Sequence, residues 1–288
     1  MAQYFTERLQ KVFHMIFRSY NQKAAQEGLR QLELIVNNQQ DAVSTDHRAL
    51  RNDMSTLFES EINSKEDALK ISNDPEAREL GDAYALLARV YAGPRFTWEE
   101  SNFPEDNMRT YQCLHDSIRR CSPIGTLQAL RIKGSITPTV EKDMQISFDD
   151  AFRIVHNYAE QDDAYCQYVI GNVFFWRDDN RIEVAKNMIT PPPLSWAKRI
   201  HQSLQGGSIH DRIAALQGTI PDEKLQENAS NLAKKWLNKA LYNGLAMFQG
   251  NLRNIYIDEG DFENARRVAR TAANLGNPAM MLYTGLDC

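Results

Sequence analysis

One spacing recurs six times along the sequence: a small residue follows a turn residue by seven positions. Successive small residues are 41, 42, 44, 35 and 35 residues apart. Helices joined by a short turn pack about 8–10 Å apart, and a small residue at the crossing leaves room for the neighbour. The recurrence therefore predicts a series of stacked helix pairs. The turn and small residues are Gly81 and Ala88, Ser122 and Ala129, Ala164 and Gly171, Ser208 and Ala215, Asn243 and Gly250, and Pro278 and Gly285.

Apolar residues recur at intervals of three and four, the period of a helix, and no alternating strand pattern stands out. The sequence predicts an all-α fold, an α/α superhelix (solenoid) of stacked antiparallel helix pairs. We expect an N-terminal helical segment at residues 1–75 that packs on a repeat domain at residues 76–288. The predicted helix pairs are 78–92 with 107–120, 123–134 with 148–160, 163–176 with 192–205, 208–218 with 223–242, and 245–257 with 261–275, followed by one helix at 277–286.

Two of the small residues are glycines inside predicted helices, Gly171 and Gly250. Glycine costs about 1 kcal/mol relative to alanine in a helix interior. Both positions therefore need a packing reason, and we expect each to lie where a neighbouring helix approaches closely.

The last predicted pair carries two motifs of known repeat families. Residues 256–265 read Tyr-x-x-x-Gly-Asp-Phe-Glu-x-Ala, which resembles a tetratricopeptide repeat. Residues 272–279 read Ala-Ala-x-x-Gly-Asn-Pro-Ala, which resembles the junction between Sel1-like repeats, and residues 81–91 resemble the first helix of such a repeat. The resemblance covers about residues 78–288. It implies an α/α superhelix that works as a protein-binding adaptor.

Composition excludes several other classes of protein. The formal net charge is −5, from 33 Lys+Arg and 38 Asp+Glu, whereas a nucleic-acid binder has a basic footprint. The longest apolar run, at residues 168–176, is far shorter than the ~20 residues needed to cross a bilayer. The N-terminus lacks the pattern of a signal peptide, and four cysteines are too few for a disulfide framework. We expect a cytoplasmic protein with no nucleic-acid partner and no membrane insertion.

Motifs of catalysis and metal binding are missing from the sequence. No histidine pair has the His-Glu-x-x-His spacing of a helical zinc site. No glycine-rich phosphate loop and no Gly-x-Ser-x-Gly elbow is present. We therefore predict no catalytic residue, no cofactor and no metal.

The longer insertions lie between the two helices of a predicted pair, where they would follow one edge of a solenoid. The first insertion, residues 93–106, contains Phe96, Trp98 and Phe103 among acidic residues. Aromatic side chains of this kind anchor protein interfaces. Alternatively, the three rings fold back as a small satellite core.

The first helices of the predicted pairs also carry polar residues. In tetratricopeptide-like superhelices these helices tend to line the concave face, so the resemblance makes their polar residues candidate partner contacts. Solvated helix surface is the alternative interpretation. The candidates are Arg89, Arg131, Gln167, Arg212 and Arg253.

The final predicted helix contains more apolar residues than one buried stripe requires. Either the segment caps the last repeat with both faces buried, or the surplus forms an exposed patch that receives a partner or pairs two copies. The residues concerned are Met280, Met281, Leu282, Tyr283 and Leu286.

These observations predict a protein–protein interaction module that binds a protein or peptide through its concave face or its loop edge. The alternative is a dedicated inhibitor that neutralises one specific protein, such as an immunity or anti-defence factor. An enzyme whose site is assembled from distant residues is the third hypothesis.

Overall fold

The computed structural model describes residues 3–44, 64–93, 103, 105–129, 144–175, 222–247 and 249–285. These residues form twelve α-helices and no strand, which confirms the predicted all-helical fold for this part of the chain. The helices are α1 (Glu7–Phe17), α2 (Gln22–Ser44), α3 (Lys65–Asn73), α4 (Glu79–Tyr91), α5 (Asn107–Arg119), α6 (Pro123–Ala129), α7 (Phe148–Glu160), α8 (Ala164–Phe175), α9 (Asp222–Tyr242), α10 (Gly250–Asp258), α11 (Phe262–Asn274) and α12 (Pro278–Thr284).

Most described helices begin and end close to the predicted positions, but α10 does not. It starts at Gly250, five residues after the predicted start. The carbonyl of Ala246 accepts a hydrogen bond from the Asn277 side chain over 2.7 Å instead of serving a helix. The predicted helices at 192–205 and 208–218 lie outside the described residues.

The turn after α9 is centred on Gly244, whose φ of +82° is a left-handed conformation that favours glycine. Its N–H donates to the carbonyl of Leu241, and the N–H of Leu245 donates to that of Ala240, both over 2.9 Å. This pair of bonds is a Schellman motif, which satisfies carbonyls at the helix end. The same two bonds close turns centred on Cys121, Asp162, Gly260 and Gly276.

Helices α4 and α8 are the most enclosed. Every residue of α4 is buried, and in α8 the same holds for ten of the twelve residues. Helices α1, α2, α5 and α6 pack against α4, while α6, α7 and α9 pack against α8. One cluster of buried apolar side chains runs from Tyr4 to Ala272, so helices on both sides of residue 75 share a core.

The two predicted helix-crossing glycines differ in their surroundings. A Cβ added to Gly171 would lie 2.7 Å from Leu237 Cγ and 3.1 Å from the Leu237 backbone nitrogen, so α8 and α9 approach closely there. A Cβ at Gly250 would meet no described atom within 4 Å. The packing role predicted for Gly250 is wrong, because this residue begins α10 and does not lie in a helix interior.

Candidate protein-binding surface

The eight residues predicted to contact a partner fall into three groups. Those outside the described residues are Phe96, Trp98, Arg131 and Arg212. Those buried are Arg89, Phe103 and Gln167. Arg253 is half-buried and lies on α10.

Arg89 on α4 is held between two tyrosines of α8. One guanidinium nitrogen donates to the hydroxyl of Tyr168 over 2.9 Å, and another lies 3.5 Å from the hydroxyl of Tyr165. Burial disfavours the charged form of Arg89, but the two tyrosines outweigh it and raise the pKa. Arg89 is therefore neither solvated surface nor an exposed partner contact, and both interpretations from the sequence are corrected here.

Gln167 is also fully buried, and it joins two turns. Its side-chain nitrogen donates to the carbonyl of Ala159 over 3.0 Å, and its oxygen accepts from Asn243 over 2.9 Å. Both ends of the amide are thus satisfied within the chain, which again leaves no exposed polar group for a partner. Phe103 belongs to the apolar core, which favours the satellite-core alternative for this ring.

The N-terminal segment of the chain explains why these first helices do not face solvent. Helices α1 and α2 pack against α4. The rings of Phe5 and Phe13 lie 5.5 and 4.8 Å from the ring of Tyr165 on α8. On α4 and α8, the residues expected to contact a partner are covered by the protein itself.

A polar cluster is enclosed beneath this segment. The Arg78 guanidinium forms an ion pair with Asp82 over 3.1 Å and donates to the backbone carbonyl of Tyr4 over 2.6 Å. The hydroxyls of Tyr4 and Ser122 both donate to Asp82, over 3.1 and 2.6 Å. Burial raises the pKa of Asp82 to about 6, against the lowering effect of Arg78 and these hydrogen bonds. All four residues are buried, so the cluster anchors the N-terminal segment and has no open face for a substrate.

The exposed apolar residues lie mainly at the other end of the chain. None of the residues of α12 is buried, and Leu282 and Tyr283 are 74% and 55% exposed. Phe262, the first residue of α11, is 60% exposed. The interpretation of this segment as a cap with both faces buried is wrong, because α12 covers its neighbour only through partly buried residues such as Met280. Leu286 lies outside the described residues.

Arginines surround these apolar side chains. The guanidinium of Arg253 lies over the ring of Tyr283, 3.9 Å from its centroid, and its Nε is buried with no hydrogen-bond partner among the described residues. Interaction with Arg253, and then the charge of Arg266, lowers the pKa of Tyr283. Arg253, Arg266 and Tyr283 therefore lie together, although they come from three different helices.

Helix α11 fixes the spacing of the remaining residues. It buries Ala265, Val268, Ala269, Ala272 and Ala273, which form one face. Phe262, Arg266 and Arg270 are exposed and follow one another at intervals of four along one side of this buried face. We call the set Arg253, Phe262, Arg266, Arg270, Leu282 and Tyr283 the C-terminal surface.

The charge of the C-terminal surface is not balanced locally. Among the described residues, no carboxylate lies within ion-pairing distance of Arg253, Arg266 or Arg270. From residue 264 to residue 285 the chain contains three arginines and no acidic residue, and Glu263 is the last acid before them. The surface is thus cationic on a chain whose net charge is −5.

Sequence reasoning had found part of this surface. It selected Arg253 from the first helices and Leu282 and Tyr283 from the surplus of apolar residues. It missed Phe262, Arg266 and Arg270, whose signal was their spacing of four on α11. The resemblance to a tetratricopeptide repeat accounts for Phe262 as part of the Gly-Asp-Phe-Glu motif and gives it no binding role.

Within the described ranges, no group of three or more His, Cys, Asp or Glu residues is placed to hold a metal ion. No helix in the same ranges is both long and apolar enough to span a bilayer. No family model, no curated protein and no solved structure matches this chain. Across the described ranges the chain is all-helical, with an exposed cationic and aromatic patch on α10, α11 and α12.

Proposed function

We propose that this protein is a protein–protein interaction module and that the C-terminal surface is its binding face. The observation that carries the proposal is the contact of Arg253 with Tyr283, next to Leu282, on helices that leave these apolar groups in water. Tyrosine and arginine are enriched among the residues that dominate binding energy at interfaces.

The proposal includes a helical-repeat architecture of the Sel1-like or tetratricopeptide-like type. Its support is the packing of sequence neighbours, including α4 with α5, α10 with α11 and α11 with α12. Recurrence of one turn geometry at five helix ends supports it further. In such an array each repeat packs on its neighbours, as α11 packs on α10 and α12 on α11.

A photo-crosslinking amino acid placed at Leu282 of the full chain tests the proposal. The matched control places it at Met108, which is 78% exposed and also apolar but lies on α5. In lysate of cells that naturally make this protein, we expect a discrete crosslinked protein from position 282 and none from position 108. No crosslink at 282, or the same products from both positions, would show that this surface is not the binding face.

The number of crosslinked proteins distinguishes a general adaptor from a dedicated inhibitor. A general adaptor gives several partners at position 282, whereas a dedicated inhibitor or immunity factor gives one. Mass spectrometry of the excised products distinguishes these outcomes.

A further inference from the structure

The geometry points to an acidic partner: the C-terminal surface binds an amphipathic segment of a different protein in which carboxylates flank a large apolar side chain. This inference rests on the proposed function and specifies the chemistry of the partner. Two observations support it: the arginines of the surface have no carboxylate nearby among the described residues, and exposed apolar side chains belong to the same surface.

The arginines set where carboxylates would bind. Arg266 and Arg270 are one helical turn apart on α11, or about 6 Å along the axis. Arg253 reaches the same region from α10, where it lies over Tyr283. Planar guanidinium groups bind carboxylates in paired hydrogen bonds. Two carboxylates one helical turn apart on a partner helix match the spacing of Arg266 and Arg270.

The apolar residues distinguish a protein segment from a simple anion. Leu282 and Phe262 are 74% and 60% exposed, and Leu282 directly precedes Tyr283 in α12. Burial of such side chains is favourable only against another apolar group. The surface is therefore suited to a partner that combines charge with aliphatic or aromatic side chains.

A nucleic acid fits these observations less well. Three unpaired arginines are few for a polyanion, and the net charge of −5 repels one at long range. Phosphates also offer nothing to the exposed Leu282. We therefore make nucleic-acid binding an outcome that would contradict the inference.

A second copy of the chain is also a poor occupant. In a two-fold dimer the same patch occurs on both sides of the interface, so Arg253, Arg266 and Arg270 would face an equally cationic surface. Glu263 is the one acidic residue on α11, too few to compensate three arginines. Like charges brought together across an interface cost several kcal/mol. The pairing of two copies through this end is thus disfavoured.

Three labelled synthetic peptides test the inference against the full-length protein by fluorescence anisotropy. The first has glutamates four residues apart with leucines beside them, the second has glutamine for glutamate, and the third has serine for leucine. We expect saturable binding of the first peptide and at least about tenfold weaker binding of the other two, a change of about 1.4 kcal/mol each. Binding of the first should weaken as salt is raised, because salt screens exposed charges.

Variants of the protein locate the site. The double variant R266E/R270E should abolish binding, and R266K/R270K should weaken it less, because the charges remain while the paired hydrogen bonds of the guanidinium groups are lost. The matched control K11E/K70E makes the same change in net charge at two exposed lysines elsewhere. It should bind like the wild type. Thermal unfolding of each variant confirms that the fold is intact.

Several results would overturn the inference. One is failure of the first peptide to bind, and another is equally strong binding of the glutamine peptide. A loss of peptide affinity in K11E/K70E as large as that in R266E/R270E is a third, and displacement of the peptide by single-stranded DNA at equal concentration is a fourth. Dimerisation in light scattering that Leu282→Asp abolishes would also overturn it. If the crosslink at position 282 persists in R266E/R270E, the inference of an acidic partner is wrong, but the proposed function is not contradicted. If wild type gives no crosslink, the proposed function itself fails.

Discussion

The hydroxyl of Ser122 donates to the carboxylate of Asp82 over 2.6 Å, although forty residues separate them along the chain. Ser122 lies in the turn between α5 and α6, and Asp82 lies in the first turn of α4. Arg78 and Tyr4 complete the surroundings of the same carboxylate. A buried charge held by three separate parts of the chain makes the stability of the fold depend on its protonation.

We predict that the Asp82 carboxyl makes stability fall between about pH 4 and pH 6. Its pKa in the folded state is about 6, raised by burial, against about 3.9 for an aspartate in an unfolded chain. Between these values the folded state binds more protons than the unfolded state, so stability decreases as pH rises. Asp82→Asn does not titrate. The advantage of the wild type over this variant in urea unfolding should therefore shrink from pH 4 to pH 7.

Asp261→Asn is the control for this pH series. Hydrogen bonds from Asn264 lower the pKa of Asp261, so its contribution is present above about pH 4 and is lost only as the pH falls further. Asn is also a good N-cap residue, which preserves the start of α11. The advantage of the wild type over Asp261→Asn should stay constant between pH 5 and pH 7. A constant advantage over Asp82→Asn as well would contradict the raised pKa.

Gly171→Ala should destabilise the protein. The new Cβ would lie 2.7 Å from Leu237 Cγ and 3.1 Å from a backbone atom, and only the side chain can move away easily. Overpacking of this kind costs about 1–3 kcal/mol. Gly250→Ala is the matched control, since its Cβ meets no described atom and alanine favours a helix. Urea midpoints should fall for the first variant and stay equal or rise for the second.

A double variant tests whether Leu237 causes the loss. Leu237→Ala alone should destabilise by creating a cavity. If the two side chains clash, Gly171→Ala costs less in the Leu237→Ala background than in the wild type. Strict additivity of the two changes would place the strain elsewhere.

The sequence was informative where local chemistry decides the structure. Turns at Gly244 and Gly276 follow from glycine, and the helices around them follow from apolar residues spaced three and four apart. Equivalent turns at Cys121 and Asp162 use the same left-handed backbone without glycine, although the predicted helix boundaries place turns at both positions. Aspartate adopts this conformation more often than most residues, whereas cysteine adopts it rarely.

Long-range contacts explain why the candidate site was only partly predicted. Arg89 is buried by Tyr165 and Tyr168, which lie 76 and 79 residues further along the chain. The sequence around Arg89 does not predict contact with these tyrosines, and arginines on helices are mostly exposed to solvent. The excess of apolar residues in α12 is visible in the local sequence and depends on no distant contact. The sequence therefore identifies Leu282 and Tyr283.

Arg78→Lys should not behave as a conservative change. The guanidinium donates to Asp82, to the carbonyl of Ser72 and to the carbonyl of Tyr4 at 3.1, 2.8 and 2.6 Å, and it lies 4.1 Å from the Tyr4 ring centroid. A single ammonium cannot reproduce this fork of donors. Each buried group left unsatisfied costs about 1–3 kcal/mol. Arg153→Lys, at an exposed ion pair with Asp150, should change stability by less than about 0.5 kcal/mol.

Variants of Asn277 and Leu282 should distinguish the packing of α12 on the protein from its role in binding a partner. Asn277 is buried, caps α12 through Met280 N–H over 3.1 Å, and donates to the Ala246 carbonyl. Asn277→Ala should therefore cost about 1–2 kcal/mol in the free energy of unfolding. Leu282→Ser removes an exposed side chain, so unfolding should change by less than about 0.5 kcal/mol, while binding of the acidic leucine peptide weakens. Equal loss of stability in both variants would mean that Leu282 packs against the protein and does not serve a partner.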